Sequence, residues 1–213
     1  MASVATTALL VRHGLTDWNA TRRAQGHADV ELNEAGRRQA DEAAERLAGT
    51  RLGAVYSSDL RRALETARPV ADRHGLEVVV DPAWREIDQG EWEGLSGDEI
   101  AARWPELWGP ARHFARRPGG EAPEEVAARA LAGLRRIAER HPGDAVAVVT
   151  HGGTIRWVVA TARGYGVRGS ARIRGLANGG IVAVQTSLAD GELIFGAVRR
   201  LDGVAPDLDD PNA

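Results

Sequence analysis

Two apolar segments of the chain end in the same way, and this repetition constrains the fold more than any other feature. One runs from Leu9 to Gly14 and the other from Ala147 to Gly153, and each stops at a histidine followed by glycine. Each apolar run has the length of a buried strand. In open α/β sheets, ligands bind just beyond the carboxyl ends of the strands. We therefore expect His13 and His151 to share one sheet edge and, with Arg12, to form a site for an anion.

The rest of the pattern alternates strands with helices. Strand-like apolar runs occupy residues 8–12, 53–56, 77–80, 145–150, 180–186 and 192–199. Apolar residues at helical spacing lie between them, as in the segment that follows Asn33, a candidate N-cap. This alternation predicts an α/β fold, a three-layer α/β/α sandwich with a mainly parallel central sheet. The last two runs, separated by Ala189-Asp190-Gly191, predict a hairpin and hence one antiparallel strand.

Residues 84–122 interrupt this alternation. They contain four of the six tryptophans among scattered glycines, prolines and arginines. We interpret this stretch as a small, mostly helical cap insertion over the strand ends, within a single domain that spans residues 1–201. The acidic segment 202–213 contains two prolines and is expected to be a loosely ordered tail.

The composition excludes several chemistries. The chain has 213 residues and no cysteine, and all 27 of its basic residues are arginine. Without lysine, a P-loop and a Schiff base are excluded, and without cysteine a thiolate phosphatase is excluded. The net charge of −3 provides no basic field for nucleic acid or an anionic membrane. With no apolar run of roughly 18–20 residues and no signal peptide, a cytoplasmic protein is expected.

A metal site is the competing use of the histidines. The patterns H-x-H, H-E-x-x-H and D-x-H-x-x-D are all missing from the sequence. Arginines beside the histidines would also repel a divalent cation. We therefore expect neither a metal nor another cofactor.

Two further features have ordinary structural interpretations when taken alone. Ser57 and Ser58 lack a surrounding G-x-S-x-G elbow, so they are expected to cap the helix that follows rather than act as nucleophiles. Arg62 lies two positions beyond Leu60 and points away from the apolar stripe of that helix. By position alone, it is typical of a solvated helix face.

Five blocks in order nevertheless resemble the histidine phosphatase superfamily, also called the phosphoglycerate mutase-like family. A lone R-H-G tripeptide would be a weak signal, whereas five ordered blocks are specific. The blocks are Arg12 to Asn19; Gln25-Gly26 with Asp29, Leu32 and Gly36; Ser57 to Ala67; Arg85 to Gly94; and Gly119-Gly120-Glu121 with Val149 to Gly153. The sequence departs from the family pattern at Ala122, where serine is common, and at the glycines of Ala177-Asn178-Gly179-Gly180.

The resemblance implies a metal-independent phosphatase that hydrolyses a small phosphomonoester, a sugar phosphate or a phosphoglycerate-like compound. His13 would become phosphohistidine, and Glu86 would protonate the leaving oxygen and later deprotonate water. The residues implied to hold the substrate are Arg12, Arg62, His151 and Asn19 around the phosphoryl oxygens, with Thr16, Gln25, Gly26 and Gly152 beside them. Neighbouring cations disfavour the imidazolium form, so His13 is expected to be neutral. An apolar surround from Trp84 or Trp92 would favour protonated Glu86.

Two alternatives stay open at this point. A phosphoglycerate mutase would pass the phosphoryl group to a second hydroxyl, although Gly90 to Gly94 resembles the phosphatase branch. A non-catalytic phosphate-binding module is the other alternative, and the presence of every nucleophile and clamp residue disfavours it. The cap arginines Arg112, Arg116 and Arg117 are candidates for reading a second acidic group on the substrate. The partner is then a small molecule, and a homodimer is one of the assemblies that the family allows.

Overall fold

A six-stranded sheet forms the centre of the computed structural model, which describes residues 4–109 and 114–201. Its order is β3-β2-β4-β1-β5-β6. The strands are β1 (Thr6–Arg12), β2 (Leu52–Ser57), β3 (Val78–Val80), β4 (Ala145–Thr150), β5 (Ile181–Ala189) and β6 (Glu192–Arg200). Neighbours pair in parallel except for β5, which is antiparallel to both β1 and β6. The mainly parallel sheet and its terminal hairpin are therefore confirmed.

Helices cover both faces of this sheet. They are α1 (Asp17–Ala20), α2 (Glu34–Leu47), α3 (Arg61–His74), α4 (Gly97–Arg103), α5 (Pro123–Arg140) and α6 (Gly152–Ala162). Successive residues of a strand point to opposite faces. Leu9 and Val11 accordingly join the buried cluster that includes residues of α2 and α3, whereas Ala8 and Leu10 join the cluster with α5 and α6. The predicted α/β/α sandwich is confirmed.

The register of β1 and β4 brings the two histidines to one edge. Arg12 is the Cα partner of Thr150 in this parallel pair. The N–H of His13 donates to the carbonyl oxygen of Thr150 at 2.9 Å. His13 and His151 therefore leave adjacent parallel strands at the same level.

Two glycines let the loop after β1 lie against the first turn of α2. Asn33 caps that helix as predicted, because its side chain accepts a bond from the N–H of Gly36 at 2.9 Å. A Cβ atom on Gly36 would collide with the carbonyl oxygen of Leu15, and one on Gly14 would collide with that of Gly36. Side chains are sterically excluded at both positions, which fixes the path of the chain beyond His13.

The start of α3 differs from the prediction. Its N-cap is Leu60, which makes no side-chain capping bond. Ser58 only accepts a bond from the Leu60 N–H at 3.3 Å, so the expectation that the serine pair caps the helix is wrong. The Arg61 N–H instead donates to Asp29 at 2.8 Å. A remote loop thus supplies the acceptor that a local serine was expected to provide.

The cap is less helical than expected. Its helical parts among the described residues are α4 and a short 3-10 turn at Gly90–Trp92. The ring of Trp92 packs near those of Trp104 and Trp108, at centroid distances of 6.3 and 6.0 Å. Trp84, the first residue of the expected cap, belongs to the central core, where it contacts α5 at Gly133.

Some expectations fall outside the described ranges. These are the acidic tail at 202–213 and the cap residue Arg112. Within the described ranges, no helix combines the length and apolar character needed to cross a membrane.

Candidate active site

His13 lies at the end of β1 with its side chain buried. Its Nδ1 atom is 2.7 Å from the carbonyl oxygen of Gly14. Because a carbonyl oxygen can only accept, Nδ1 carries the proton and Nε2 keeps its lone pair. Burial holds the pKa of His13 well below its usual value, and the cations of Arg62 and Arg12 lower it further. This direction agrees with the predicted neutral imidazole, whose free nitrogen would then be Nε2.

His151 faces this ring from the start of α6. The two ring centroids are 5.1 Å apart, with the planes tilted by 58°. Burial lowers the pKa of His151 well below its usual value, and Arg62 and His13 contribute. Neither ring nitrogen has a hydrogen-bond partner within the described part of the chain. Since a buried polar group without a partner is costly, these nitrogens are suited to a bound oxygen.

Arg62 lies beside the two histidines, where the resemblance places it, and not on the solvated helix face that its position alone favours. Its side chain is fully buried, because the loop around residues 25–28 folds over α3. The guanidinium donates to the carbonyl oxygens of Gly26 and Ala28 at 2.7 and 2.8 Å. Burial lowers the pKa of Arg62 to about 10, which leaves it a cation at neutral pH.

Arg12 is the second guanidinium beside His13. It donates to the carbonyl oxygen of Leu176 at 2.6 Å, and burial lowers its pKa. Within the residues described, neither Arg12 nor Arg62 has an ion-pair partner, and the Nε of each is buried without an acceptor. Both guanidinium groups place positive charge beside the pair of histidines, and the Glu86 carboxylate acts electrostatically on both of them.

Glu86 reaches the same place from the loop that follows β3. Its Oε2 accepts a bond from the N–H of Gly153 in the first turn of α6, and its Oε1 accepts one from the N–H of Ile87, both at 3.0 Å. A Cβ atom on Gly153 would collide with the Glu86 carboxylate. The glycine at this position thus allows α6 to hold the carboxylate in place. Trp92 lines the same cavity as Glu86, whereas Trp84 lies in the core.

The other predicted binding residues divide into two groups. Asn19 and Gly152 line the cavity, and a Cβ atom on Gly152 would lie 3.2 Å from the Nε of Arg12. Thr16 and Gln25 are buried and bonded to each other at 3.1 Å, and Thr16 also accepts from the Asn19 N–H at 3.1 Å. Thr16 and Gln25, with the Gly26 carbonyl on Arg62, therefore position the residues that face the cavity.

The cavity that Arg12, Asn19, Glu86 and Gly152 line has a volume of about 410 Å³ and is strongly cationic, whereas His13, Arg62 and His151 are not among its lining residues. Glu86 is the single carboxylate among the described residues that line it. Five lining residues are arginines, namely Arg12, Arg22, Arg23, Arg117 and Arg156. Nowhere in the described ranges do three or more histidine, aspartate or glutamate side chains gather as a metal-ion site.

Asn178 was missed by the sequence analysis as a site residue. Its Nδ2 group donates to the carbonyl oxygen of His13 at 3.0 Å and to the Oδ1 atom of Asn19 at 3.2 Å. Asn178 therefore bonds both to the backbone of the proposed nucleophile and to a proposed clamp residue. The available signal was an asparagine followed by two glycines at the entry to β5.

Comparisons with known proteins identify the family of this chain. Residues 8–194 match the model of the histidine phosphatase superfamily (branch 1). Phosphoglycerate mutase-like protein 4 of Arabidopsis thaliana is 45% identical over 161 residues, which cover 73% of this chain and 70% of that protein. A metal-independent phosphoserine phosphatase of Arabidopsis thaliana is 42% identical over 160 residues, covering 72% and 67%.

A solved structure extends the match to the whole fold. The mycobacterial glucosyl-3-phosphoglycerate phosphatase in complex with VO3 superposes with a TM-score of 0.83 at 32% identity, covering 93% of this chain and 99% of that chain. The chain belongs to the histidine phosphatase superfamily. Within it, this protein is a phosphoric monoester hydrolase of the histidine phosphatase type.

Proposed function

We propose that the protein is a metal-independent phosphatase that hydrolyses a small phosphomonoester through a phosphohistidine on His13. One observation carries this proposal. The bond from His13 Nδ1 to the Gly14 carbonyl leaves Nε2 as a free nucleophile in a neutral ring, buried next to two guanidinium groups that have no ion-pair partner among the described residues. The site thus combines a nucleophile that has an available lone pair with positive charge that stabilises the phosphoryl group under attack.

In the first step, Nε2 of His13 attacks phosphorus and the bond from phosphorus to the ester oxygen breaks. Glu86 gives its proton to that oxygen, which leaves as an alcohol. Charge spreads over the three equatorial oxygens during this transfer. The fixed donors that meet it are the guanidinium groups of Arg12 and Arg62, with His151 and Asn19 beside them.

In the second step, water attacks the phosphorus of phosphohistidine. Glu86, now ionised, takes a proton from that water, and the phosphorus–nitrogen bond breaks. Its electron pair returns to Nε2 of His13, and inorganic phosphate leaves. The arginines supply the charge stabilisation that a metal ion supplies in other phosphatases, and one relative is named as metal-independent.

Arg117 supports a narrower choice of substrate. It is 6% exposed, stacks over Trp92 at 4.6 Å and lines the cavity. Burial lowers its pKa to about 10, and no carboxylate in the described residues forms an ion pair with it. A second acidic group on the substrate would provide that partner. We therefore favour a phosphoglycerate-like substrate over a neutral sugar phosphate.

The names of relatives are consistent with this choice. Phosphoserine and glucosyl-3-phosphoglycerate, for which two of them are named, each contain a carboxylate as well as a phosphate ester. Arg116, by contrast, is exposed and paired with Glu125 on the outside of the cap. Of Arg116 and Arg117, only Arg117 lines the cavity.

A substrate panel in EDTA tests these assignments. Phosphate release is measured from phosphoserine, 3-phosphoglycerate, glucose 6-phosphate and p-nitrophenyl phosphate, and rapid base quenching tests for a labelled, acid-labile adduct. We expect turnover with EDTA present and an adduct that is absent in His13→Ala. Turnover without an adduct would overturn the phosphohistidine. Rapid 3- to 2-phosphoglycerate conversion with added bisphosphoglycerate would favour the mutase instead.

Arg117→Met tests the second acidic group. We expect it to raise KM for 3-phosphoglycerate about tenfold or more, with little change for p-nitrophenyl phosphate. Arg116→Met is the matched control, since its guanidinium pairs outside the cavity. Equal effects of Arg117→Met on both substrates would contradict the acidic-substrate assignment and leave the phosphohistidine assignment standing.

A further inference from the structure

The loop that contains Glu86 is held by side chains rather than by a strand ladder. We call residues 83–88 the acid loop. Four consecutive carbonyl oxygens in it accept hydrogen bonds from side chains of other elements. The bonds are Arg129 to Ala83 (2.9 Å), Thr150 to Trp84 (2.7 Å), Arg129 and Thr154 to Arg85 (2.7 and 2.8 Å), and Arg129 and His27 to Glu86 (2.8 and 3.0 Å).

Arg129 binds three of these four carbonyls from the second turn of α5. Its guanidinium also pairs with both oxygens of Glu121, at 3.2 and 3.0 Å. Glu121 in turn accepts a bond from the N–H of Asp88 at 2.9 Å, and its own N–H donates to the Asp88 carbonyl at 3.1 Å. Arg129 and Glu121 therefore fasten the acid loop on both sides of Glu86.

This arrangement bears directly on where the carboxylate lies. A general acid must stay within hydrogen-bond reach of the leaving oxygen, and small displacements are costly in rate. The bond from Gly153 orients the Glu86 side chain, but the backbone beneath it depends on Arg129. Bonds from a charged donor are stronger than neutral ones. The planar guanidinium group of Arg129 also donates to several acceptors at once, which the ammonium group of a lysine could do only in part.

We propose that Arg129 is a positioning residue that holds Glu86 where it can protonate the leaving oxygen. The inference rests on the acid role proposed above for Glu86. Arg129 does not line the cavity, and the hydrogen bonds of its side chain go to the acid loop and to Glu121. Its positive charge also contributes to the lowered pKa of His151, and Arg129→Lys keeps that charge. Loss of the Arg129 hydrogen bonds should therefore impair proton donation and leave the phosphoryl clamp of Arg12, Arg62 and His151 in place.

Leaving groups of different basicity separate this role from a merely structural one. An alkoxide leaving group needs a proton, whereas 2,4-dinitrophenolate leaves without one. The ratio kcat/KM reports phosphorylation of His13 and not the later hydrolysis. For Arg129→Met, we expect kcat/KM to fall about 100-fold for an alkyl phosphate such as 3-phosphoglycerate, the scale of general acid catalysis. For 2,4-dinitrophenyl phosphate, we expect a fall of about threefold or less, because that leaving group needs no acid.

Arg136→Met is the matched control on the same helix. Arg136 pairs with Asp81 at 2.7 Å, just before the acid loop, and makes no hydrogen bond to the acid-loop carbonyls, all of which lie in the described part of the chain. Arg136→Met should leave kcat/KM for both substrates within about twofold of the wild-type values, as expected for loss of a partly exposed ion pair. Arg129→Lys should recover part of the loss for the alkyl phosphate. If Arg129→Met does not fold, Arg129→Lys carries the same leaving-group comparison.

Glu86→Gln distinguishes the two levels of the proposal. If Glu86→Gln affects both substrates equally, the acid role of Glu86 fails and the inference about Arg129 fails with it. If Glu86→Gln is selective but Arg129→Met lowers both substrates equally, the positioning role alone is overturned. If Glu86→Gln and Arg129→Met each act selectively on the alkyl phosphate, the two changes remove the same function. The double variant should then have nearly the same kcat/KM for the alkyl phosphate as Glu86→Gln alone.

Discussion

The Nδ1 atom of His13 donates to the carbonyl oxygen of Gly14 at 2.7 Å, and this bond determines which ring nitrogen is free. The Gly14 carbonyl is itself fixed by the chain path that Gly36 permits and by a bond from the Gly14 N–H to Thr66 at 3.0 Å. The tautomer of the nucleophile is therefore set by packing between β1, α2 and α3. Substrate is not needed to select it.

The two buried histidines should make stability depend on pH. The pKa of each is held well below 6.5, mainly by burial. As pH falls through 6.5, the unfolded chain takes up protons on these residues that the folded chain does not. The free energy of unfolding should therefore decrease as the pH is lowered, by about 2 kcal/mol between pH 7 and 5.5 for the two histidines together. Urea unfolding at a series of pH values in phosphate-free buffer measures this decrease.

Removal of the histidines provides the control for that slope. His13→Gln should remove about half of the pH dependence, and His13→Gln with His151→Gln should remove most of it. Asp59 and Glu121, whose carboxyl pKa values are lowered, titrate below this window. A slope unchanged in the double variant would show that other groups are responsible.

Arg62→Lys tests the buried guanidinium. Lysine keeps the charge but cannot hold the carbonyls of Gly26 and Ala28 while also facing a phosphoryl group. We expect kcat/KM to fall about 100-fold or more, the scale of losing a fixed transition-state donor. Inhibition by vanadate should weaken in parallel. Arg68→Lys, on the exposed side of α3, is the control and should behave as wild type.

Much of the fold was readable from the sequence because its signals are local. The β1 and β4 segments are apolar runs that end at His13 and His151, so their shared edge follows from parallel pairing. The cap at Asn33 and the hairpin after β5 are also short-range patterns. Such patterns need no knowledge of distant contacts, and the structure confirms them.

Local patterns mislead where distant residues replace local partners. Arg62 is on the polar side of α3 by its spacing, yet carbonyls 34 to 36 positions away bury it. Ser58 does not cap α3, and Asp29, which belongs to another loop, accepts the bond from the Arg61 N–H instead. Asn178 lies 165 positions from His13, whose carbonyl accepts its bond. Helical periodicity and capping rules contain no information about these contacts.

Asn178→Ala should lower activity more than stability. It removes the donor that joins the His13 carbonyl to Asn19, so the nucleophile and one clamp residue lose a shared support. We expect kcat to fall about tenfold with KM nearly unchanged, as for an interaction that matters in the transition state. Asn33→Ala is the opposite case: loss of the α2 cap should cost about 1 kcal/mol of stability with activity retained. Similar effects of both variants on kcat would contradict the assignment of Asn178.

Gly36→Ala should destabilise the fold although it lies within a helix. Alanine is normally the better helix former, by about 1 kcal/mol. Here its Cβ would collide with the backbone of Leu15, which cannot rotate away as a side chain can. We expect a loss of about 2 kcal/mol or more in the free energy of unfolding, together with reduced kcat, because displacement of Leu15 moves the loop that begins at His13. Gly49→Ala has open space around its Cβ and is the control, with little change expected in either quantity. Stabilisation by Gly36→Ala would show that the loop yields, and that the position of His13 does not depend on this contact.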